Sequence, residues 1–182
     1  MITRRETLCG GLLSVLSRPC LCNASASAAE GLTGDGCSVE EDVGRKILEA
    51  SSTTSSFIAG REEITHSSGN KVFDQALAHT LARLVETFDV LPAFAFFREP
   101  GGPNALASTT ITSRTDGTVL FGFNLLKMLF DMREHPDVAM SAVCAHEFAH
   151  ILQYKRNLKK TFASEPTVRR AELHADLLAG YF

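Results

Sequence analysis

The stretch CAHEFAHILQ, residues 144–153, carries two histidines four positions apart, with a glutamate directly after the first. On an α-helix, residues four apart lie one above the other on the same face. His146 and His150 can therefore direct two ring nitrogens at one metal ion. Glu147 lies about 100° further round the helix, close to the same point. A helix with two unrelated histidines is the plain alternative, and a third ligand elsewhere in the chain decides between them.

Glu172 supplies a third ligand, 22 residues after His150 and on a separate predicted helix. Asp176 follows on the same helical face, where its carboxylate can accept a hydrogen bond from the second nitrogen of a ligand histidine. Catalytic zinc sites have about three protein ligands and one open position. The pattern predicts one Zn²⁺ ion with His146, His150 and Glu172 as its ligands. Glu147 is the predicted general base, which takes a proton from the attacking water.

These residues resemble the gluzincin metallopeptidases, which combine H-E-x-x-H with a downstream glutamate. The sequence ELHAD, residues 172–176, is most similar to two branches of that group. One is the CAAX-prenyl-protease and heat-shock membrane-protease branch, and the other is the small neutral zinc metallopeptidases of bacteria. The resemblance covers roughly residues 70–180. It implies a zincin-like fold, hydrolysis of a peptide or protein substrate, and an Asp176 carboxylate that orients His146.

Two other functions stay open at this stage. The chain can be a non-catalytic metal-binding or interaction module, although the presence of Glu147 favours catalysis. It can also be a metal-dependent amidase that acts on a non-protein amide, such as a cell-wall link, because the metal chemistry is the same. The group that stabilises the oxyanion is not identified by a motif, and the candidates are Tyr154, Tyr181, His66 and Arg114. His174 is expected to face away from the metal in a structural role.

The rest of the chain predicts an α+β domain. Apolar residues recur at helical spacing over residues 70–88, and β-branched and aromatic residues predict strands at 93–97, 106–112 and 118–123. A turn ending in Asp-Gly joins the last two strands into a hairpin. Helices are predicted over 125–132, over 137–155 and from about 166 to the end. We therefore expect a small β-sheet or hairpin packed against the H-E-x-x-H helix and a second ligand-bearing helix, within residues 69–182.

Three local patterns carry more specific expectations. Ser38 and Glu41 form a capping box that opens a short helix, within an N-terminal helix and linker over residues 29–68. The Ser/Thr tract over residues 51–56 predicts a loop, and Asn124 is the expected cap of the helix that follows it. The strand at 118–123 is expected to lie beside the metal and to receive the substrate as an added strand.

Residues 1–28 read as an export signal. Arg4 and Arg5 precede a modest apolar stretch and then the alternating Ala/Ser residues 24–28, in the order of a cleavable leader. The arginine pair resembles the twin-arginine signal of bacteria. A short helix with two chance arginines is the alternative. We expect a protein exported to the bacterial periplasm or to the outside of the cell.

Two cysteines, Cys37 and Cys144, remain in the mature chain once the leader is removed. They can form one disulfide, or they can be separate thiols of which one is exposed and one buried. The spacing along the metal helix places Cys144 on the core face, away from His146. Cys37 as an inhibitory thiolate on the metal is the less favoured alternative to an ordinary thiol.

Composition excludes two classes of partner. The chain of 182 residues has a formal net charge of −3, so it lacks the basic surface typical of nucleic-acid-binding proteins. Hydrophobic residues make up 45 % of the chain, which is enough for a buried core. No uninterrupted apolar run approaches the ~18 to 20 residues that a transmembrane helix needs. We expect one folded domain with no transmembrane anchor.

Overall fold

A computed structural model describes residues 37–39, 41–50, 54–56, 67–112, 114–162 and 168–182. The predicted export signal lies outside these residues, as does most of the predicted linker. In chain order the described residues form β1 (Ser38–Val39), α1 (Glu41–Ala50), β2 (Thr54–Ser56), α2 (Lys71–Phe88), β3 (Ala93–Phe97), β4 (Ala105–Ser108), β5 (Thr118–Gly122), α3 (Phe123–Phe130), α4 (Pro136–Lys155), α5 (Lys159–Phe162) and α6 (Arg169–Tyr181). The prediction of an α+β fold is confirmed.

Helix α2 begins and ends where its sequence predicts. The side chain of Asn70 accepts hydrogen bonds from the backbone N–H groups of Val72 and Phe73, so two donors of the first turn are satisfied. The helix ends at Asp89, which adopts the left-handed conformation with φ 51°. Its buried face contributes Leu81 and Leu84, both fully buried, to the main hydrophobic core. The helical spacing of the apolar residues is thus explained by packing on one side.

In the described part of the chain the strands form one sheet, in the order β1-β4-β5-β3-β2. β4 and β5 pair antiparallel, which confirms the predicted hairpin, and β3 pairs parallel with β5. The residues of β3, β4 and β5 are all buried, because α2 and α4 cover one face of the sheet and α1 packs on the other. β5 is therefore central, and its two edges are both paired. The prediction that residues 118–123 receive a substrate as an added strand is wrong.

Three local expectations in the first half of the chain need correction. Ser38 lies in β1 and pairs with Ala107, so it does not cap α1, which begins at Glu41. Part of the Ser/Thr tract, Thr54–Ser56, forms β2, which pairs antiparallel with β3, and residues 51–53 lie outside the described residues. β4 ends at Ser108, earlier than predicted, and beyond it the hydroxyl of Thr110 donates to the carbonyl of Glu41.

Helix α3 is capped by a distant carboxylate and not by Asn124. Glu99, which follows β3, is buried and accepts hydrogen bonds from the backbone N–H groups of Asn124 and Leu125, and also from that of Asn104. The helix begins one residue before Asn124, so this residue lies in the first turn. A negative charge at a helix N-terminus also interacts favourably with the helix dipole.

Helix α4 runs through the centre of the molecule. Pro136 occupies its start, where the missing N–H has no helical partner in any case. Every residue from 144 to 153 is buried, against α2, α6 and the sheet. The metal-binding pattern therefore lies on the most enclosed helix of the described chain. No helix in the described residues is both long and apolar enough to cross a membrane.

Candidate metal centre

Two helices bring the predicted ligands together. α4 carries His146 and His150, and α6 carries Glu172. The Nε2 atoms of the two histidines are 3.1 Å apart. The Oε2 atom of Glu172 lies 3.2 Å from Nε2 of His146 and 3.4 Å from Nε2 of His150. The sulfur of Cys37 joins this group, whose four ligand atoms all lie within 4.8 Å of one another. This buried Cys/His/His/Glu group can bind a metal ion.

The spacing of the three nitrogen and oxygen atoms fits a zinc ion. Tetrahedral Zn²⁺ binds such atoms at about 2.0–2.1 Å, so neighbouring ligand atoms are roughly 3.3 Å apart. The three observed separations, 3.1, 3.2 and 3.4 Å, lie close to that value. The side chains are already arranged as the coordination of a small tetrahedral cation requires.

Hydrogen bonds on the far side of each imidazole orient the ring. Nδ1 of His146 is 2.9 Å from Oδ1 of Asp176, and an ionised carboxylate can only accept. Nδ1 of His150 is 3.1 Å from Oε1 of Gln153, which is also an acceptor. Each neutral ring therefore has its proton on Nδ1, and its Nε2 lone pair points at the other ring and at Glu172. Three electron-rich atoms at this distance are favourable only with a cation or protons between them.

Glu172 is held in its ionised form. Burial by itself raises the pKa of this carboxyl, but hydrogen bonds from His146 and His150, when a proton is also present on their Nε2 atoms, outweigh burial and hold the pKa well below its usual range. The second oxygen, Oε1, accepts a hydrogen bond of 3.3 Å from the backbone N–H of Cys37. One oxygen thus faces the histidines, and the other is fixed by the backbone.

Glu147 lies beside the group and not in it. Its side chain is almost completely buried, and among the described residues Oε2 has no hydrogen-bond partner. Burial raises its pKa to about 7, although the neighbouring His146 and His150 act in the opposite direction. A buried carboxyl with a vacant acceptor and a pKa near neutrality is suited to exchanging a proton with a bound molecule.

No protein-family model matches this chain, and neither a curated protein nor a solved structure matches it. The residues of the ligand group lie on α4 and α6, except for Cys37, which precedes β1.

Cys37 is positioned by its backbone at the edge of the sheet. Its carbonyl accepts a hydrogen bond from the N–H of Ala107 in β4, while its own N–H donates to Glu172. The residue is buried, and its sulfur is in a disulfide. Cys144 is buried and free, so the two cysteines of the predicted mature chain do not pair with each other. Burial, followed by the charge of Glu147, raises the pKa of the Cys144 thiol far above its usual range, as expected of a core thiol.

Two features of the site were missed or underrated by sequence reasoning. Gln153 accepts a hydrogen bond from His150. Its position three residues after His150 on the same helix is the one pattern that could have indicated this contact. Cys37 was the less favoured alternative, because no local pattern connects it with residues more than a hundred positions away. His174 lies against Gln153 and the ring of Phe162 and is not one of the grouped ligand residues.

The oxyanion candidates are not part of the ligand group. The hydroxyl of Tyr154 donates to the carbonyl of Ala107, and Tyr181 is 81 % exposed. Arg114 is exposed in the turn before β5. His66 lies outside the described residues.

Proposed function

We propose that this protein is a zinc-dependent metallopeptidase of the gluzincin type, with a zincin-like fold. The observation that carries the proposal is the triangle of Nε2, Nε2 and Oε2 atoms with edges of 3.1, 3.2 and 3.4 Å. Both imidazole protons are directed away from this triangle, so its lone pairs are available to one cation. His146, His150 and Glu172 would hold the ion.

A bound zinc ion supplies a Lewis acid, and it lowers the pKa of a coordinated water to about 7. The protein supplies the proton transfer. Glu147 has a buried carboxylate oxygen without a partner among the described residues, so it is placed to accept a proton beside the ligand group. Glu147 accepts the proton from the attacking water and then delivers it to the leaving amine of the cleaved peptide bond.

The substrate and the location belong to the same proposal. A peptide or protein substrate follows from the likeness of H-E-x-x-H and E-x-x-x-D to the gluzincin pattern. Export to the periplasm or the cell exterior follows from Arg4, Arg5 and the Ala/Ser residues 24–28. Both expectations rest on sequence patterns.

Substitution of Glu147 tests the proposal. Glu147→Gln keeps the shape of the side chain but removes the base, so zinc content should stay near normal while peptide turnover falls by at least ~10²-fold. His146→Ala, His150→Ala and Glu172→Ala should instead lose the metal. Zinc content is measured by elemental analysis, and turnover with a mixture of unstructured peptides.

Glu86→Gln is the matched control, because Glu86 is an exposed glutamate on α2. It should change neither quantity. A Glu147→Gln variant as active as the parent would show that the base is assigned wrongly. Turnover of a cell-wall amide in place of peptides would support the amidase alternative.

A second candidate function is a closed, non-catalytic metal site. The specific observation in its favour is Cys37, because four protein ligands are typical of structural zinc sites and leave no position for water. A thiolate at Cys37 would close the site, whereas a disulfide there leaves it open, since zinc binds the thiolate and not a disulfide sulfur. A bond between sulfur and the metal would indicate the closed, non-catalytic site, and the absence of that bond would indicate the open site.

A further inference from the structure

We propose that Gln153 is a positioning residue that fixes the tautomer of His150 and ties the two ligand-bearing helices to each other. Its effect on metal binding rests on the proposed function, whereas its effect on the imidazole does not require a metal. The side chain is 3 % exposed and lies between α4 and α6. A polar group so deeply buried is retained only where its hydrogen bonds are satisfied.

The orientation of the Gln153 amide follows from its neighbours. Its Nε2 atom is 2.8 Å from the carbonyl oxygen of Ala171, which can only accept a hydrogen bond. Nε2 must therefore face Ala171, and Oε1 faces Nδ1 of His150 at 3.1 Å. Because Oε1 is an acceptor, the proton of His150 lies on Nδ1. The Nε2 lone pair of His150 is then directed at the ligand group.

The second N–H of the amide is also used. Nε2 of Gln153 lies 3.2 Å from Nδ1 of His174, so the neutral ring of His174 accepts at this nitrogen. Gln153 thus holds His150 with its oxygen and α6 with its nitrogen. Ala171 directly precedes Glu172 in the chain. The same side chain therefore positions two of the three ligands, one from each helix.

Gln153→Glu separates the hydrogen bond with His150 from the hydrogen bonds to α6. Gln153→Glu keeps an acceptor for His150 but has no N–H for Ala171 or His174. Gln153→Leu removes both functions at similar volume. In metal-free protein, ring ¹H–¹⁵N correlation spectra should show His150 with its proton on Nδ1 in the parent and in Gln153→Glu. In Gln153→Leu we expect a mixture of the two tautomers.

Metal affinity and stability are the further readouts. Gln153→Leu should weaken zinc binding by ~10 to 100-fold in competition with a chelator, as is typical when the hydrogen-bond partner of a ligand histidine is lost. Gln153→Glu should bind zinc within a few-fold of the parent, while its metal-free form unfolds at lower urea. Gln75→Leu, at an exposed position of α2, is the control and should change none of these values.

Three results would overturn the proposal. They are a His150 tautomer unchanged in Gln153→Leu, a zinc affinity unchanged in that variant, or an equal loss of affinity in Gln153→Glu. If Gln153→Leu does not fold, the Gln153→Glu spectra and affinity still decide. The spectra are recorded without metal, so a parent that binds zinc but hydrolyses no peptide contradicts the proposed enzyme and not the role of Gln153.

Discussion

At the scale of single residues, Cys37 decides whether the metal centre is open. Its sulfur lies within 4.8 Å of the ligand atoms of His146, His150 and Glu172, and it is in a disulfide. Its backbone is fixed at both ends of the residue, to Glu172 and to Ala107. The main chain of Cys37 is therefore held next to the ligands. Only a thiolate, however, can join them.

X-ray absorption of the zinc-loaded full-length chain, with residues 1–28 retained, measures this directly. In the disulfide form we expect only nitrogen and oxygen neighbours at about 2.0–2.1 Å. A phosphine reductant supplies two electrons and yields the Cys37 thiol, which loses its proton to solvent on binding zinc. A sulfur neighbour at about 2.3 Å should then appear, and peptide turnover should fall because the open position is filled.

Cys37→Ser and Cys144→Ala are the paired variants for this experiment. Cys37→Ser should show no zinc–sulfur contact in either redox state, whereas Cys144→Ala should behave as the parent because Cys144 is a fully buried core thiol. A zinc–sulfur contact before reduction would support the closed, non-catalytic site. The absence of sulfur after reduction would show that Cys37 does not reach the metal.

At the scale of elements, α3 depends on a carboxylate that reaches it from the end of β3. Glu99 accepts hydrogen bonds from the N–H groups of Asn124, Leu125 and Asn104. Its carboxylate lies directly against Gly122. A Cβ at Gly122 would lie 1.8 Å from Oε1 of Glu99. The glycine has φ −77° and ψ 141°, which any residue can adopt, so space and not backbone conformation requires it.

Gly122→Ala should therefore destabilise the protein by displacing the Glu99 carboxylate. Hydrogen bonds to a charged group contribute ~1.5 to 3 kcal/mol, and we expect a loss of this order in the free energy of unfolding, measured by urea denaturation. In a Glu99→Ala background the same substitution should cost much less, because the contact no longer exists.

Gly101→Ala is the control for this cycle, since its Cβ would meet no atom within 4 Å. Its effect should stay within ~0.5 kcal/mol. Equal effects of Gly122→Ala in the parent and in the Glu99→Ala background would mean that the substitution acts elsewhere.

At the scale of the whole molecule, the candidate metal centre joins two helices that are separate in the chain. α4 lies in the middle of the core, and α6 packs on it through the ligand group, Gln153 and Ala175. Because His146, His150 and Glu172 come together only in the folded chain, a metal that binds all three favours the folded state.

Zinc should consequently raise the thermal stability of the protein. A ligand at 100 times its Kd stabilises by about 2.7 kcal/mol, and for a chain of this length that corresponds to a rise in Tm of roughly 5–10 °C. Differential scanning calorimetry with zinc and with a chelator measures it. Glu172→Gln should remove most of the rise, whereas Glu86→Gln should not. An equal Tm with and without zinc would contradict a site shared by the two helices.

Local patterns in the sequence determined most of the elements. The spacing of apolar residues predicted α2, the start and stop signals at Pro136, Asp137 and Lys155 predicted α4, and strand-forming residues with an Asp-Gly turn predicted β3 and the β4–β5 hairpin. These features depend on neighbours a few residues apart, and the sequence shows such neighbours directly. The same reasoning brought His146 and His150 onto one face and named Glu172 as their partner.

Only the tertiary structure decided which helices and strands pack or pair with each other. Periodicity shows that a face is buried but not what lies against it, so the central place of β5 and the pairing of the polar β2 with β3 were not predicted. The cap of α3 by Glu99, the hydrogen bonds of Gln153 and the approach of Cys37 have the same origin. Each is a contact between residues that folding brings together, and its favourable energy exists only when the packed helices and sheet hold both partners in place.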